Sequence, residues 1–176
     1  CGENWNIRIL KVDEKAGLLF YSANCDSRVR RDVYKVDMKR GTTEKISFGE
    51  YSFETVLISP DNKKYVALHS NAQTPTILSL VTPGKKMKVV ELDNAKDERY
   101  ENGELPIPKM VSITTPDGYE LPGVITLPLD MDSTKKYPVI VNIYGGPNSP
   151  QVFDRWRNPS FLNQWWAKEG IIQITV

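Results

Sequence analysis

Arg8-Ile-Leu-Lys-Val-Asp-Glu-Lys-Ala-Gly-Leu-Leu-Phe-Tyr-Ser-Ala-Asn24 lines up without a gap on Thr55-Val-Leu-Ile-Ser-Pro-Asp-Asn-Lys-Lys-Tyr-Val-Ala-Leu-His-Ser-Asn71. Each copy reads as a strand, a tight polar turn and a second strand. The turns are Asp13–Gly17 and Ser59–Lys63, rich in residues that adopt turn dihedrals or bond their own backbone. Working outward, a third strand follows in each copy, at Asp32–Asp37 and Thr76–Leu80. A fourth closes each, near Thr43–Ser47 and Lys88–Leu92. Four short strands recurring after about 45 residues suggest β-propeller blades. A single eight-stranded sandwich would also show short strands and frequent turns. The ungapped match between copies favours blades. Two blades cannot close a ring, since propellers use about four to eight, so most of a propeller is expected to lie outside these residues.

Residues 93–110 change character: they are polar and charged and end in Leu105-Pro-Ile-Pro108. This composition predicts a domain boundary, drawn here between 105 and 106. Beyond it, Val111–Thr115 and Leu121–Leu127 flank Pro116-Asp-Gly-Tyr119, a hairpin signal. Val139-Ile-Val-Asn-Ile143 is the kind of apolar run expected of a strand buried on both faces of a mainly parallel sheet. A helix is expected over Pro159–Glu169, capped by Asn158 or Ser160 and stopped by Gly170. Ile171–Val176 supplies another β-branched strand. Strand, loop, helix, strand opens an α/β layer fold. The fold class expected is therefore mixed, with all-β blades over 1–105 followed by the N-terminal part of an α/β domain over 106–176.

Composition narrows the function. Apolar residues make up 40% of the 176 residues and charged residues 26%, which excludes a disordered chain. The 23 basic and 22 acidic side chains nearly cancel, so no general field draws the chain to nucleic acid. The basic stretch Arg28-Val-Arg-Arg31 reads as a solvated loop. No apolar run approaches the ~20 residues of a membrane span. Cys1 and Cys25 lack metal or redox spacing; they are read as unpaired, with a disulfide between them left open.

The one stretch that carries chemistry is Ile143-Tyr-Gly-Gly-Pro147, at the carboxyl end of an expected strand, where open α/β sheets gather ligands. In α/β-hydrolases the loop after the third strand helps to build an oxyanion hole. Gly145 and Gly146 would let backbone approach a substrate closely. Tyr144 would add a phenolic donor. The same residues also suit a strand-end core tyrosine beside a plain glycine turn.

Lys136-Tyr-Pro-Val-Ile-Val-Asn-Ile-Tyr-Gly-Gly-Pro147 resembles the segment that enters the catalytic domain of the prolyl oligopeptidase family, in its dipeptidyl peptidase IV branch. The similarity extends back through Pro116-Asp-Gly118, Leu127-Pro-Leu-Asp130, Leu105-Pro-Ile-Pro108, Ser59-Pro-Asp61 and Gly2-Glu-Asn-Trp5, in the family's order. It implies the last blades of an eight-bladed propeller followed by the start of an α/β-hydrolase domain. It also implies a serine peptidase that releases N-terminal dipeptides from peptides with proline or alanine at the second position. Tyr144 matches the tyrosine of the oxyanion hole; Gly145, Gly146 and Pro147 match the loop that shapes it. No cofactor or metal is implied. The partners implied are the peptide substrate, the remainder of the same enzyme and a homodimer, in an exported setting (periplasmic, cell-surface or secreted).

No Gly-x-Ser-x-Gly elbow occurs in the 176 residues, so the serine, acid and base of a triad are expected elsewhere and these residues alone are expected to be inactive. His69 is the one histidine, but it sits opposite Ser22 on a repeat strand and is read as structural. Trp156, Trp165 and Trp166 are expected mainly to pack in a core, or else to meet the rest of a propeller. Adjacent Trp165 and Trp166 point to different faces, so at most one of the two packs fully. Two rivals stand beside the dipeptidyl peptidase reading. One is a related hydrolase with acylaminoacyl, tripeptidyl or endopeptidase preference; the other is an interaction module that kept both folds and lost its triad.

Overall fold

A computed structural model describes residues 6–143 and 150–176. The chain divides into two compact units, one of Cys1–Asn71 with Thr76–Ala95 and one of Ala72–Pro75 with Lys96–Val176.

The first unit holds two four-stranded antiparallel sheets built in chain order. One runs β1 (Ile7–Asp13), β2 (Leu18–Ala23), β3 (Asp32–Asp37) and β4 (Thr42–Lys45). The other runs β5 (Ser52–Ile58), β6 (Tyr65–Asn71), β7 (Thr74–Thr82) and β8 (Lys88–Asn94). This plan, four neighbouring strands joined by short turns and repeated, is consistent with propeller blades. A single core joins the sheets: Phe20, Val33, Ile46, Phe53, Val56 and Tyr65 pack together with Ala67 and Val81. Along β5 the period of two is plain, with buried Val56 between exposed Thr55 and Leu57, whereas Val33 sits between buried Asp32 and Tyr34. Within that core the Tyr65 hydroxyl donates to the Ile46 carbonyl at 2.7 Å.

The register corrects one detail of the repeat. Asp13 pairs with Leu18 across a four-residue turn, whereas Ile58 pairs with Tyr65 across a six-residue turn. The second copy therefore carries two extra turn residues, and the ungapped alignment is out of step on the first strand. A slip of two leaves every side chain on its own face, so the hydrophobic pattern hid it. Both first strands also bulge, β1 between Ile9 and Lys11 and β5 between Phe53 and Thr55.

The second unit starts with a short helix, α1 (Glu98–Glu101), inside the stretch expected as linker; the Asp97 side chain caps it by accepting the Tyr100 N–H at 2.9 Å. The remaining strands are β9 (Lys109–Thr114), β10 (Glu120–Thr126), β11 (Val139–Asn142) and β12 (Ile172–Thr175), with helix α2 (Phe161–Lys168) between the last two. Their order in the sheet is β11-β12-β10-β9. The β9–β10 turn centres on Gly118, whose φ of 82° explains why Asp-Gly stands there. β11 and β12 run parallel, from Val139 beside Ile172 to Asn142 beside Thr175, and α2 makes the crossover that parallel strands require. Among the described residues, no helix is long and apolar enough to cross a membrane.

One packing expectation fails, at β11, and the adjacent tryptophans of α2 face differently, as expected. Val139 and Val141 are about half exposed (49% and 52%), since among the described residues no element covers their face of β11, which pairs with β12. Trp165 is 46% exposed, and Ala167 is the buried residue of α2. The helix meets β12 through Asn163 instead: its Nδ2 donates to Gln173 Oε1 at 2.6 Å, and Gln173 Nε2 donates to the Asn163 carbonyl at 3.0 Å. Trp165 lies two residues from both Asn163 and Ala167, so helical geometry turns it away from the strand.

Candidate functional site

The carboxyl ends of β11 and β12 lie side by side, and the Val176 N–H donates to the Asn142 carbonyl at 3.2 Å. After β11 and Ile143 come Tyr144, Gly145 and Gly146, with Pro147 beyond; these expected site residues lie outside the described residues. The neighbouring residues are described. α2 begins at Ser160, whose Oγ accepts the Asn163 N–H at 3.1 Å while Asn163 Oδ1 accepts the Ser160 N–H at 3.2 Å. This reciprocal cap fixes where the link from β11 turns into helix. Gly170, at φ 74°, ends the helix.

A cavity of about 460 Å³ opens where Asn142 and Ile143 leave β11 and Thr175 leaves β12. Its position outside the carboxyl ends of a parallel pair is where open α/β sheets gather ligands. The segment 151–159 contributes Phe153, Arg155, Arg157 and Asn158 to the lining. Intervening residues behave differently. Val152 and Asp154 are buried, Asp154 Oδ1 accepting the Ala72 N–H at 2.8 Å, and Trp156 packs edge-on against Tyr100 at 5.5 Å. Trp156 Nε1 also donates to Asn158 Oδ1 at 2.8 Å. The sequence carried a signal for this face that the reading passed over: Phe153, Arg155 and Arg157 alternate, the spacing that puts side chains of an extended segment on one side.

His69 belongs to the core of the first unit. It is 2% exposed, its Nε2 lies 3.0 Å from Ser79 Oγ, and Phe48, Tyr51 and Phe53 surround its ring with centroids at 4.8–5.4 Å. Burial pushes its pKa down and keeps the imidazole neutral, with a weaker opposing pull from Glu91. The Arg28–Arg31 loop is tied into the same unit: Arg30 approaches Glu50 at 3.5 Å, and the Arg31 carbonyl accepts the Phe53 N–H at 2.8 Å. Cys25 is a free thiol whose pKa burial raises; Cys1 lies outside the described residues.

Two four-stranded antiparallel sheets consistent with propeller blades, followed by a mixed sheet with one helical crossover, define the class. Known proteins of similar sequence narrow it. Residues 1–76 match the family described as dipeptidyl peptidase IV (DPP IV) N-terminal region. Dipeptidyl peptidase 4 of Trichophyton tonsurans is 27% identical over 163 residues, covering 91% of this chain and 21% of that protein. A protein described as probable dipeptidyl-aminopeptidase B, from Trichophyton verrucosum, is 30% identical over 169 residues, covering 94% of this chain and 19% of its own length. The crystal structure of Porphyromonas gingivalis dipeptidyl peptidase 4 superposes with a TM-score of 0.77 at 30% identity, over 100% of this chain and 25% of that one. The chain spans about a fifth of the length of the curated relatives it matches. The likeness is thus to the dipeptidyl peptidase IV branch, the branch that the sequence motifs resemble.

Proposed function

We propose that the chain is the last part of a propeller (1–105) and the opening of an α/β-hydrolase domain (106–176) of a serine-type dipeptidyl peptidase. The whole enzyme releases N-terminal dipeptides after proline, and Tyr144 donates its hydroxyl to the oxyanion of the tetrahedral intermediate. The observation that carries this reading is the parallel pair β11–β12 joined through α2. β11 is the third strand of its sheet in chain order, and Tyr144-Gly-Gly-Pro147 begins one residue after its end, in the strand-to-helix link from which α/β-hydrolases draw oxyanion donors. The dipeptidyl peptidase names of the relatives support the substrate class, a peptide with a free amino end. The nucleophile, acid and base then come from further chain, since these 176 residues hold no Gly-x-Ser-x-Gly.

Tyr144→Phe in the complete enzyme tests the assignment. Removing one oxyanion donor costs ~10²–10³ in kcat, while KM changes little because the bond strengthens in the transition state. A well-folded phenylalanine variant with near-normal kcat would refute the role.

A further inference from the structure

The second unit holds another cavity, of about 390 Å³, at the opposite end of the parallel pair, where Tyr137 leads into β11 and Gly170 into β12. Thr126 pairs with Gln173 near the start of β12, so the residues that follow β10 reach this end. The apolar part of the lining includes Pro106, Pro128 and Ala167, all three buried. The Tyr137 ring is a fixed wall. Its hydroxyl accepts the Asp132 N–H at 2.9 Å, and the ring lies 3.7 Å from where a Cβ on Gly170 would stand. Three charged side chains share the lining, Glu104, Asp130 and Lys168. Glu104 Oε1 accepts Asn102 Nδ2 at 3.1 Å. Among the described residues, Lys168 forms no ion pair with either acid, so the cavity keeps opposite charges apart beside an apolar surface.

We propose that this cavity binds the dipeptide that the reaction releases, as its zwitterion with proline in second place. The proposal rests on the peptidase reading above. Such a product carries an ammonium at one end, a carboxylate at the other and a compact apolar ring, and two residues span at most about 7 Å. Its amino end meets Glu104 and Asp130, its carboxylate meets Lys168, and the proline ring packs on the Tyr137 wall. An uncleaved substrate fits less well. Its proline carbonyl is still held in an amide bond, so it has no charge there to offer Lys168, and only cleavage creates the group that the lysine selects.

The test uses the complete enzyme after Gly-Pro diphenyl phosphonate has blocked its serine, so that the reaction site is already filled. Calorimetry then follows the binding of Gly-Pro, Gly-Pro amide, N-acetyl-Gly-Pro and Gly-Gly. One equivalent of Gly-Pro is expected to bind the blocked enzyme with a Kd of about 1 mM, and the amide and the acetylated form each about tenfold more weakly. Lys168→Ala is expected to bring the acid-to-amide ratio toward one. Glu104→Gln with Asp130→Asn is expected to do the same for the ratio of free to acetylated dipeptide. All three side chains are exposed, and the comparison of ligands on the unaltered enzyme needs no variant to fold. If the unblocked enzyme cleaves Gly-Pro p-nitroanilide but the blocked enzyme binds no Gly-Pro, the product site is overturned and the peptidase reading stands. Preferences that survive the substitutions, or equal binding of Gly-Gly and Gly-Pro, would overturn it too. An enzyme that neither cleaves the p-nitroanilide nor reacts with the phosphonate would overturn the peptidase reading and this proposal with it.

Discussion

The two sheets of the first unit share a strand plan and differ in what they bury. By their pairing with the second strand, Arg8 of β1 and Phe53 of β5 hold the same place: one faces Ser22, the other His69. Arg8 is exposed, whereas Phe53 is fully buried. The second sheet thus closes over an aromatic cage around an imidazole. The first instead buries a polar group nearby, where Asp32, 4% exposed, accepts the Ser47 hydroxyl at 2.7 Å and faces Lys45 Nζ at 2.9 Å. The comparison teaches that a repeat preserves backbone pairing more strictly than interior chemistry. Hydrogen bonds between strands ignore side-chain identity, while each interior has only to be filled and its polar atoms paired.

Substitution at that shared place is the most direct way to break the comparison. Phe53→Ala removes a ring packed on Phe48 at 5.3 Å and on His69 at 5.4 Å, and is expected to cost about 3–5 kcal/mol. Arg8→Ala, on an exposed position, should change stability by less than about 0.5 kcal/mol. Urea unfolding of the complete protein, compared between the two variants, gives the contrast. Equal losses would mean that the two sheets are equivalent after all.

Acidification should separate the sheets next. Burial lowers the His69 pKa in the folded state. On acidification the unfolded chain therefore takes up the proton first, at its ordinary value of about 6.5. The stability that neutral His69 contributes is complete above that pH and is lost as the pH falls below it toward the lower folded value. Among the described residues, the groups that face the ring are Ser79, Phe48, Tyr51 and Phe53, with Glu91 the nearby charge and no buried acid beside the ring to compensate the cation. Carboxylates such as Asp13 and Asp61, with lowered pKa values, titrate further down and leave the window between about 6.5 and 5 to the histidine. Melting temperature followed across that window should fall for the unaltered protein and run flatter for His69→Gln, from a lower start. Parallel curves would remove His69 as the cause.

The sequence disclosed most of the strands, because blade-like periodicity, Pro-Asp-Gly turns and the Ser160 cap are local signals. It missed what depends on neighbours. The apolar run at Val139–Val141 signals burial but does not say what covers it, and β11 turns out to be an edge. Tryptophan size suggested a core, whereas the Asn163–Gln173 clamp decides how α2 rolls on β12. Of the candidate site, the sequence points to one stretch, which lies outside the described residues, and is silent on another. Tyr144-Gly-Gly-Pro147 stands out because two glycines at a strand end invite close approach, but Arg155 and Arg157 lie in a segment with no helix or strand, and only the fold turns them toward one cavity with Asn142.

The smallest expected contrast lies in the turns, where the copies solve one backbone problem differently. The four-residue turn uses Gly17 at φ 70°, and the six-residue turn uses Asn62 at φ 60°. Left-handed backbone costs an ordinary L-residue about 1–2 kcal/mol. A Cβ at Gly17 would meet only the flexible Lys39 side chain, at 3.0–3.3 Å, so the dihedral penalty dominates and Gly17→Ala should cost about 1 kcal/mol. At Asn62 two effects oppose each other. Glycine would relax the dihedral but lose the bond from Asn62 Nδ2 to Asp13 Oδ2, 2.7 Å long, which ties the second turn to the first. Asn62→Gly is therefore expected to fall within about 0.5 kcal/mol of the starting protein, while Asn62→Ala, which loses the bond and keeps the strain, should cost about 1–2 kcal/mol. If urea midpoints instead ranked alanine above glycine at position 62, neither strain nor that tie would govern the turn, and the two extra residues of the second copy would need another reason to be there.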